Sequence, residues 1–278
     1  MKPQEVLNNI VSIIESGVKP WERPWSTSSG SIMPINYATK REYTGFNILN
    51  FWNEQAVFGY KTCQWIGFNQ ARQLGLYVMK GEKGHYGLRM NSINLKDKDG
   101  NKTDEFINLP TSFCVFNVDQ LNGFEHEDEV KKEWNSINDA DVLINDSGAV
   151  IEYGGDRACY NKTNDVIRLP VKEAFKNAEG FYATALHELS HWTGHESRLN
   201  RTFGKRFGDH AYAIEELVAE MSCAFIMAHI GLHGEIENHA GYLNHWITAL
   251  KQNPKILLTA SSEASKAYNF IIGGNNEY

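Results

Sequence analysis

The residues best suited to chemistry in this chain are His187, Glu188 and His191, which form the pattern His-Glu-x-x-His. Residues four apart lie on one face of a helix, so both imidazoles could bind the same metal ion. Glu188 would then lie beside the open coordination position of that ion, where its carboxylate could accept a proton from water. The pattern predicts a metal site with a general base.

A catalytic zinc site usually has three protein ligands, so a third ligand must come from elsewhere in the chain. A longer form of the pattern supplies a third histidine at position 197, but this chain has Ser197 there. Glu216 and Glu220 lie one turn apart on a predicted amphipathic helix, beside its apolar stripe. We expect Glu216 to be the third ligand and Glu220 to orient His187, as in glutamate-zincins. The reverse assignment remains open, as does the alternative that both are surface acids.

The composition is typical of a soluble globular protein, with 42% apolar and 22% charged residues among 278. No apolar run is long enough to cross a membrane, and the N-terminus lacks the features of a signal peptide. The four cysteines are scattered and form no C-x-x-C pair, so the sequence indicates neither a disulfide scaffold nor a thiolate zinc cluster. We therefore expect a cytoplasmic protein that does not contact a membrane.

The net charge of −7 hides an asymmetry between the two parts of the chain. Residues 1–92 hold ten Lys/Arg against six Asp/Glu, or +4, and the remainder holds seventeen against twenty-eight, or −11. In the basic part, aromatic residues alternate with cations, a combination that binds single-stranded nucleic acid by base stacking and phosphate contacts. The alternative is that the aromatic residues belong to the core. The candidate contact residues are Trp21, Arg23, Trp25, Lys40, Arg41, Tyr43, Lys61, Trp65, Arg72, Lys80 and Lys83.

A charged run at residues 125–133 is the best candidate for a boundary between domains. It predicts a first domain at 1–124, a linker at 125–135 and a second domain at 136–278. Each half mixes helix and strand patterns, so the predicted fold class is α+β. In the second half, residues 158–169 are expected to form a hairpin that could serve as an edge strand beside the metal site.

Several sequence blocks resemble the ArdC antirestriction family. In the first half these are W-E-R-P-W, P-I-N-Y-A-T-K-R-E-Y-T-G-F-N, W-I-G-F-N-Q-A-R-Q-L-G, V-M-K-G-E-K-G and F-C-V-F-N-V-D-Q. In the second half they are A-T-A-L-H-E-L-S-H-W-T-G-H, R-L-N-R and Y-A-I-E-E-L-V-A-E. The resemblance implies an N-terminal α+β domain that binds single-stranded DNA. It also implies a C-terminal zincin-like domain that contains the His-Glu-x-x-His helix and binds Zn²⁺ or another divalent metal.

The resemblance further implies an antirestriction protein of a plasmid or phage, which protects incoming DNA from host restriction in a bacterial cytoplasm. Its partners would be single-stranded DNA and a host restriction-system protein. With Glu188 as general base, the metal site would be that of a zinc metallopeptidase; whether protection needs peptide hydrolysis remains open. One alternative is an active zinc metallopeptidase that DNA binding localises to an unknown protein substrate. Another is a DNA-shielding protein with a vestigial site.

Overall fold

A computed structural model describes residues 2–21, 33–96, 102–126, 136–202, 210–232 and 240–273. Both halves contain helices and strands, so the predicted α+β class is confirmed. The elements of the first half are α1 (Pro3–Glu15), β1 (Ile35–Asn36), α2 (Phe46–Phe58), β2 (Gln64–Ile66), α3 (Phe68–Gln73), β3 (Tyr77–Val78), β4 (His85–Lys96), β5 (Lys102–Asn117) and β6 (Leu121–Asn122). Those of the second half are α4 (Ser136–Asp146), β7 (Val150–Tyr153), β8 (Cys159–Asn161), β9 (Val166–Leu169), α5 (Ala178–Trp192), α6 (His210–Ile230), α7 (Ala240–Gln252) and α8 (Ile256–Ile271).

Among the described residues, the strands of the first half form one sheet of four strands and one of two. The larger sheet has the order β1-β2-β5-β4, and its β4–β5 pair is a long antiparallel hairpin in which His85 is opposite Val115. The smaller sheet pairs β3 with β6 in antiparallel orientation. Helix α2 ends at Gly59, whose left-handed backbone (φ 68°) is a common way to stop a helix.

The strands of the second half form a separate sheet with the order β7-β9-β8. Strands β8 and β9 are antiparallel neighbours, so the hairpin predicted at residues 158–169 is confirmed. Strand β8 forms one edge of this sheet and packs against α5. Helices α5 and α6 lie side by side and pack against each other.

The largest apolar core takes residues from both halves of the chain. Trp52 of α2 packs edge-on against Phe225 of α6 with ring centroids 5.7 Å apart. Trp21 packs in the same way against Trp246 of α7, also at 5.7 Å. The first half therefore contributes directly to the core that supports α5 and α6.

A second, small core lies in the first half and supports α3 and β3. Its buried members are Ile66, Ala71, Leu76, Val118 and Leu121. Most of the predicted linker lies outside the described residues, because residues 127–135 are not among them. Within the described ranges, no helix is long and apolar enough to span a membrane.

Candidate functional site

Helix α5 presents His187, Glu188 and His191 from within the protein rather than from its surface. The helix begins after Asn177, whose side-chain oxygen accepts a hydrogen bond from the backbone N–H of Gly180 at 2.8 Å. All three side chains of the motif are buried among the apolar residues of the same helix. Their polar atoms are therefore largely removed from bulk water.

Glu216 of α6 faces the two histidines and completes a cluster of three donors. Its Oε2 lies 3.6 Å from Nε2 of His187, and its Oε1 lies 3.5 Å from Nε2 of His191. One ligand atom from each residue lies within 4.8 Å of the other two. Among the described residues, these three form the group able to hold a metal ion.

The spacing of the three donors fits a metal ion. Ligands about 2.1 Å from an ion in tetrahedral geometry are about 3.4 Å apart. The two histidine–carboxylate separations, 3.5 and 3.6 Å, are close to this value. Two imidazole nitrogens and one carboxylate are also a common donor set for catalytic zinc. The residues present therefore fit a divalent ion and leave one position open.

The charges of this cluster are strongly coupled. Burial lowers the pKa of His191, but hydrogen bonds to Glu215 and Glu216 and their charges outweigh it and raise that pKa to about 10. Burial raises the pKa of Glu216, but contacts with His187 and His191 outweigh it and hold that pKa well below its usual range. The neighbouring carboxylates therefore favour the protonated imidazole of His191, whereas a metal ion binds only the neutral imidazole.

Two residues that sequence reasoning did not assign to the site, Glu215 and Arg201, hold His191 in position. Nδ1 of His191 lies 3.1 Å from Oε1 of Glu215. Arg201 donates to both oxygens of Glu215, from Nε at 3.0 Å and from Nη2 at 2.8 Å. It also donates to Oγ1 of Thr193 and to the carbonyl of Ser190, each at 2.7 Å.

All the members of this chain of contacts are buried. Burial raises the pKa of Glu215, but His191 and Arg201 outweigh it and lower that pKa. Arg201 lies in the R-L-N-R block and Glu215 immediately precedes Glu216, so both were visible in the sequence. No periodic pattern indicated that they would meet.

Strand β8 packs against α5, the helix that carries Glu188. The pKa of the Cys159 thiol on β8 is raised, first by burial and then by the charge of Glu188. Arg198 fixes the turn that follows β8, because its Nη1 donates to Oδ2 of Asp165 at 3.0 Å. Its guanidinium also lies 3.8 Å from the ring centroid of Trp192, at the end of α5.

Glu220 lies one turn after Glu216 on α6 and is almost completely buried, with 1% of its surface exposed. The alternative that Glu220 is an acid on the protein surface is therefore excluded. Its expected role in orienting His187 remains a prediction. His195, eight residues after His187, lies 2.8 Å from Oγ of Ser197 through Nδ1 and is not part of the three-residue metal group.

The structure corrects the prediction that Trp21 and Trp65 stack on nucleic-acid bases. Trp65 has no exposed surface, and its ring stacks on Phe51 at 4.8 Å. Trp21 is 4% exposed and belongs to the main core. Neither ring has a free face for a base. The reason is that both aromatic rings fill the interior, which composition alone does not distinguish from a binding surface.

The other candidate DNA contacts divide into three groups. Six cations are exposed, namely Lys40, Arg41, Lys61, Arg72, Lys80 and Lys83. Tyr43 is half-buried, and its ring packs against Phe51 at 4.7 Å. Arg23 and Trp25 lie outside the described residues. Six predicted cations thus remain available for phosphate contacts, whereas two of the four predicted aromatic contacts, Trp21 and Trp65, are buried.

Two family models match consecutive parts of the chain. Residues 2–136 match the N-terminal domain of anti-restriction factor ArdC, and residues 138–263 match a zincin-like metallopeptidase. The solved structures that match include the antirestriction ArdC protein from R388 plasmid. Its metal-free form is 33% identical, with a TM-score of 0.80, over 98% of this chain and 97% of that chain. Its Mn(II)-bound form is 32% identical, with a TM-score of 0.79, over 99% of this chain and 98% of that chain.

Proteins of Sinorhizobium fredii and Escherichia coli are also similar to this chain. An uncharacterized protein, y4eC of Sinorhizobium fredii, is 32% identical over 96% of this chain and 90% of its own length. A DNA primase TraC of Escherichia coli is 31% identical over 97% of this chain. This chain spans only 27% of that primase and 19% of a second TraC primase. The similarity to the primases therefore concerns a part of those longer proteins.

Proposed function

The chain belongs to the ArdC antirestriction family, and we propose that it protects the incoming DNA of a mobile element from host restriction by binding that DNA as a single strand. The main support is that this chain and the ArdC protein of plasmid R388 align over nearly their whole lengths at 33% identity. Exposed cations in the first half and a buried metal-ligand cluster in the second agree with that assignment. A host restriction-system protein is a second proposed partner.

The site takes a divalent metal ion, and we assign His187, His191 and Glu216 as its ligands. Zn²⁺ is the proposed ion, because two histidines and a glutamate with one open position form a catalytic zinc site. Arg201 and Glu215 keep the imidazole of His191 turned towards the ion. Glu220 is proposed to orient His187 from the next turn of α6.

Glu188 is the proposed general base of this centre. A bound divalent ion supplies a Lewis acid that makes a water molecule easier to deprotonate. The Glu188 carboxylate, buried beside His187 on α5, would accept that proton. Edge strand β8 packs against α5 and would offer backbone hydrogen-bonding groups to an extended peptide. These features support a second candidate function, peptide hydrolysis by a metallopeptidase that DNA binding localises.

Changing Glu188 to Gln separates protection by DNA binding from protection by hydrolysis. The variant keeps the ligands, so we expect it to bind the metal and to lose any hydrolytic activity. Protection of incoming DNA in a restricting host should persist if shielding is sufficient. Loss of protection with the metal still bound would instead favour the metallopeptidase. Glu196→Gln, which changes an exposed acid of the loop after α5, is the matched control.

Single-stranded DNA binding is tested by titration at several salt concentrations. We expect tighter binding to single strands than to duplex, with affinity that falls as salt rises. Each phosphate contact on a single strand contributes a slope of about −0.7 to log affinity against log salt, so engagement of all six exposed cations would give about −4. Salt-independent binding, or a preference for duplex, would contradict the proposal.

A further inference from the structure

We propose that bases of single-stranded DNA stack on Phe68 and Tyr77, on an exposed surface that also carries Arg72, Lys80 and Lys83. We call these five residues the α3–β3 platform. The assignment rests on the single-stranded DNA binding proposed above and identifies the aromatic faces for it. It replaces Trp21 and Trp65, whose rings are buried in the apolar interior.

Phe68 and Arg72 share one exposed face of α3. They are four residues apart on the helix, and both side chains face solvent, with Phe68 51% exposed. Ala71 of the same helix is buried in the small core beneath it. The ring of Phe68 and the guanidinium of Arg72 are thus neighbours on α3, a helix that packs on the small core.

Strand β3 likewise places an exposed aromatic ring, that of Tyr77, above the small core. Successive side chains of a strand point to opposite faces, and Val78 packs against the small core. Tyr77 therefore points outwards, and 61% of its surface is exposed. Its backbone is held by antiparallel pairing with Asn122 of β6. An aromatic ring fixed on a strand loses little entropy when it binds a base.

Phe116 joins the two sides of the platform. Its ring centroid lies 6.4 Å from that of Phe68. A Cβ built on Gly84 would lie 3.3 Å from Cζ of the same Phe116 ring. Gly84 directly follows Lys83 in the turn between β3 and β4, which also contains Lys80. The turn that contains the two lysines and helix α3 therefore both lie near the same ring.

The charge of the platform favours a nucleic acid over a protein partner. From Phe68 to Gly84 the chain has three cations and one acid, Glu82. The carboxylate of Glu82 accepts a hydrogen bond from Nε2 of Gln120 at 2.8 Å, and Gln120 is buried. The carboxylate of this exposed acid is thus paired with the amide of a buried residue. Aromatic faces among exposed cations are the combination that holds single strands, because bases stack while phosphates are neutralised.

The test is the affinity of the full-length chain for a fluorescent single-stranded oligonucleotide. Phe68→Ala and Tyr77→Ala should each weaken binding by about 5- to 150-fold, the range for loss of one stacked base. Tyr77→Phe keeps the ring and should bind like the wild type. The matched control is Phe106→Ala on the β4–β5 hairpin, because Phe106 is a similarly exposed ring (59%) outside the platform. Circular dichroism checks that each variant is folded.

A second measurement locates the bases directly. Photocrosslinking with an oligonucleotide that contains 5-iodouracil should attach to Phe68 or Tyr77, as read by mass spectrometry. If the wild type binds single strands but both alanine variants bind equally well, or if crosslinks form only elsewhere, the platform assignment is overturned and the proposed function stands. The surface would then be one for a protein partner. If the wild type binds no single strand, the proposed function itself fails.

Discussion

At the scale of single residues, the metal centre depends on a buried chain of contacts that runs from Arg201 through Glu215 to His191. Glu215 lies 3.1 Å from the imidazole of His191, and Arg201 holds Glu215 with two hydrogen bonds. Partners of this kind fix the ring orientation of a metal-ligating histidine. A histidine free to rotate would bind an ion less tightly, even with all three ligands present.

We therefore predict that Glu215→Gln lowers metal affinity. Removing the contact of a ligating histidine with its carboxylate partner costs about 10- to 100-fold in affinity. Titration of Mn(II) or Zn(II) into the purified variant gives the change, and Glu173→Gln, at an exposed acid, is the control. Unchanged affinity in Glu215→Gln would mean that the contact is not needed to orient His191.

Burial of Trp65 gives a second prediction at this scale. Trp65→Ala should destabilise the fold by about 3–5 kcal/mol, because it removes a fully buried ring that stacks on Phe51. Urea unfolding measures the loss. Any protein that remains folded should bind single-stranded DNA like the wild type. A stable Trp65→Ala variant with selectively weakened DNA binding would restore the original sequence-based interpretation.

The sequence predicts which side chains meet at the site when those residues belong to a helix or strand, because such an element has a regular period. His187 and His191 share a helix turn, so their convergence on one ion follows from spacing alone. Glu216 was predicted as the third ligand from its position on a second, amphipathic helix. In the structure its carboxylate lies within 3.6 Å of both histidines. Arg201 lies in a loop, whose path has no period, so its contact with Glu215 could not be read from the sequence.

At the scale of elements, one polar contact joins the loop before α2 to helices α6 and α8. Tyr268 of α8 donates a hydrogen bond to Oε2 of Glu42 at 2.9 Å. Nδ1 of His229, near the end of α6, lies 2.9 Å from the Tyr268 hydroxyl. Because Glu42 follows Lys40 and Arg41, this contact fixes a cationic loop of the first half to the helix that carries Glu216.

The contact predicts a specific dependence of stability on pH. The contact with His229, whose Nδ1 lies 3.8 Å from Oε1 of Glu42, lowers the pKa of Glu42 below 4.5. Burial opposes this, and the hydrogen bond from Tyr268 adds to it. A carboxyl whose pKa is lower in the folded state stabilises that state above its unfolded pKa. The contribution of Glu42 to the free energy of unfolding should therefore be lost as the pH falls below 4.5 and passes the pKa of this carboxyl in the folded protein.

Urea unfolding of the wild type and of Glu42→Gln at a series of acidic pH values measures this effect. The wild type should lose more stability than the variant as the pH falls below 4.5, because the side-chain amide of the variant cannot ionise. Parallel curves for the two proteins would show that Glu42 does not contribute. Tyr268→Phe, which removes one hydrogen bond, should cost about 1 kcal/mol near neutral pH.

At the scale of the whole molecule, the two halves share their main core. The sequence predicted two domains of mixed helix and strand, and the proposed boundary at 125–135 remains a prediction. The sequence did not indicate that α1 and α2 would pack on helices of the second half, which carries the metal-ligand cluster. The packing of Trp52 on Phe225 joins residues distant in the chain, and no local pattern encodes such a contact.

A shared core predicts that the halves unfold together. Phe225→Ala should destabilise the protein by about 3–5 kcal/mol, because it removes a buried ring between the halves. Hydrogen exchange should show the same loss of protection in α2 of the first half as in α5 of the second. Phe106→Ala, at an exposed ring, should change neither. Faster exchange confined to α5–α8 would show that the halves unfold independently.

The central claim is that His187, His191 and Glu216 form a divalent metal centre in which Glu188 is not a ligand. Its most direct test is calorimetric titration of Zn(II) into the wild type, Glu188→Gln and Glu216→Ala. We predict one tightly bound ion per chain for the wild type and for Glu188→Gln, and a large loss of affinity for Glu216→Ala. Wild-type affinity in Glu216→Ala, or loss of the ion in Glu188→Gln, would contradict the account.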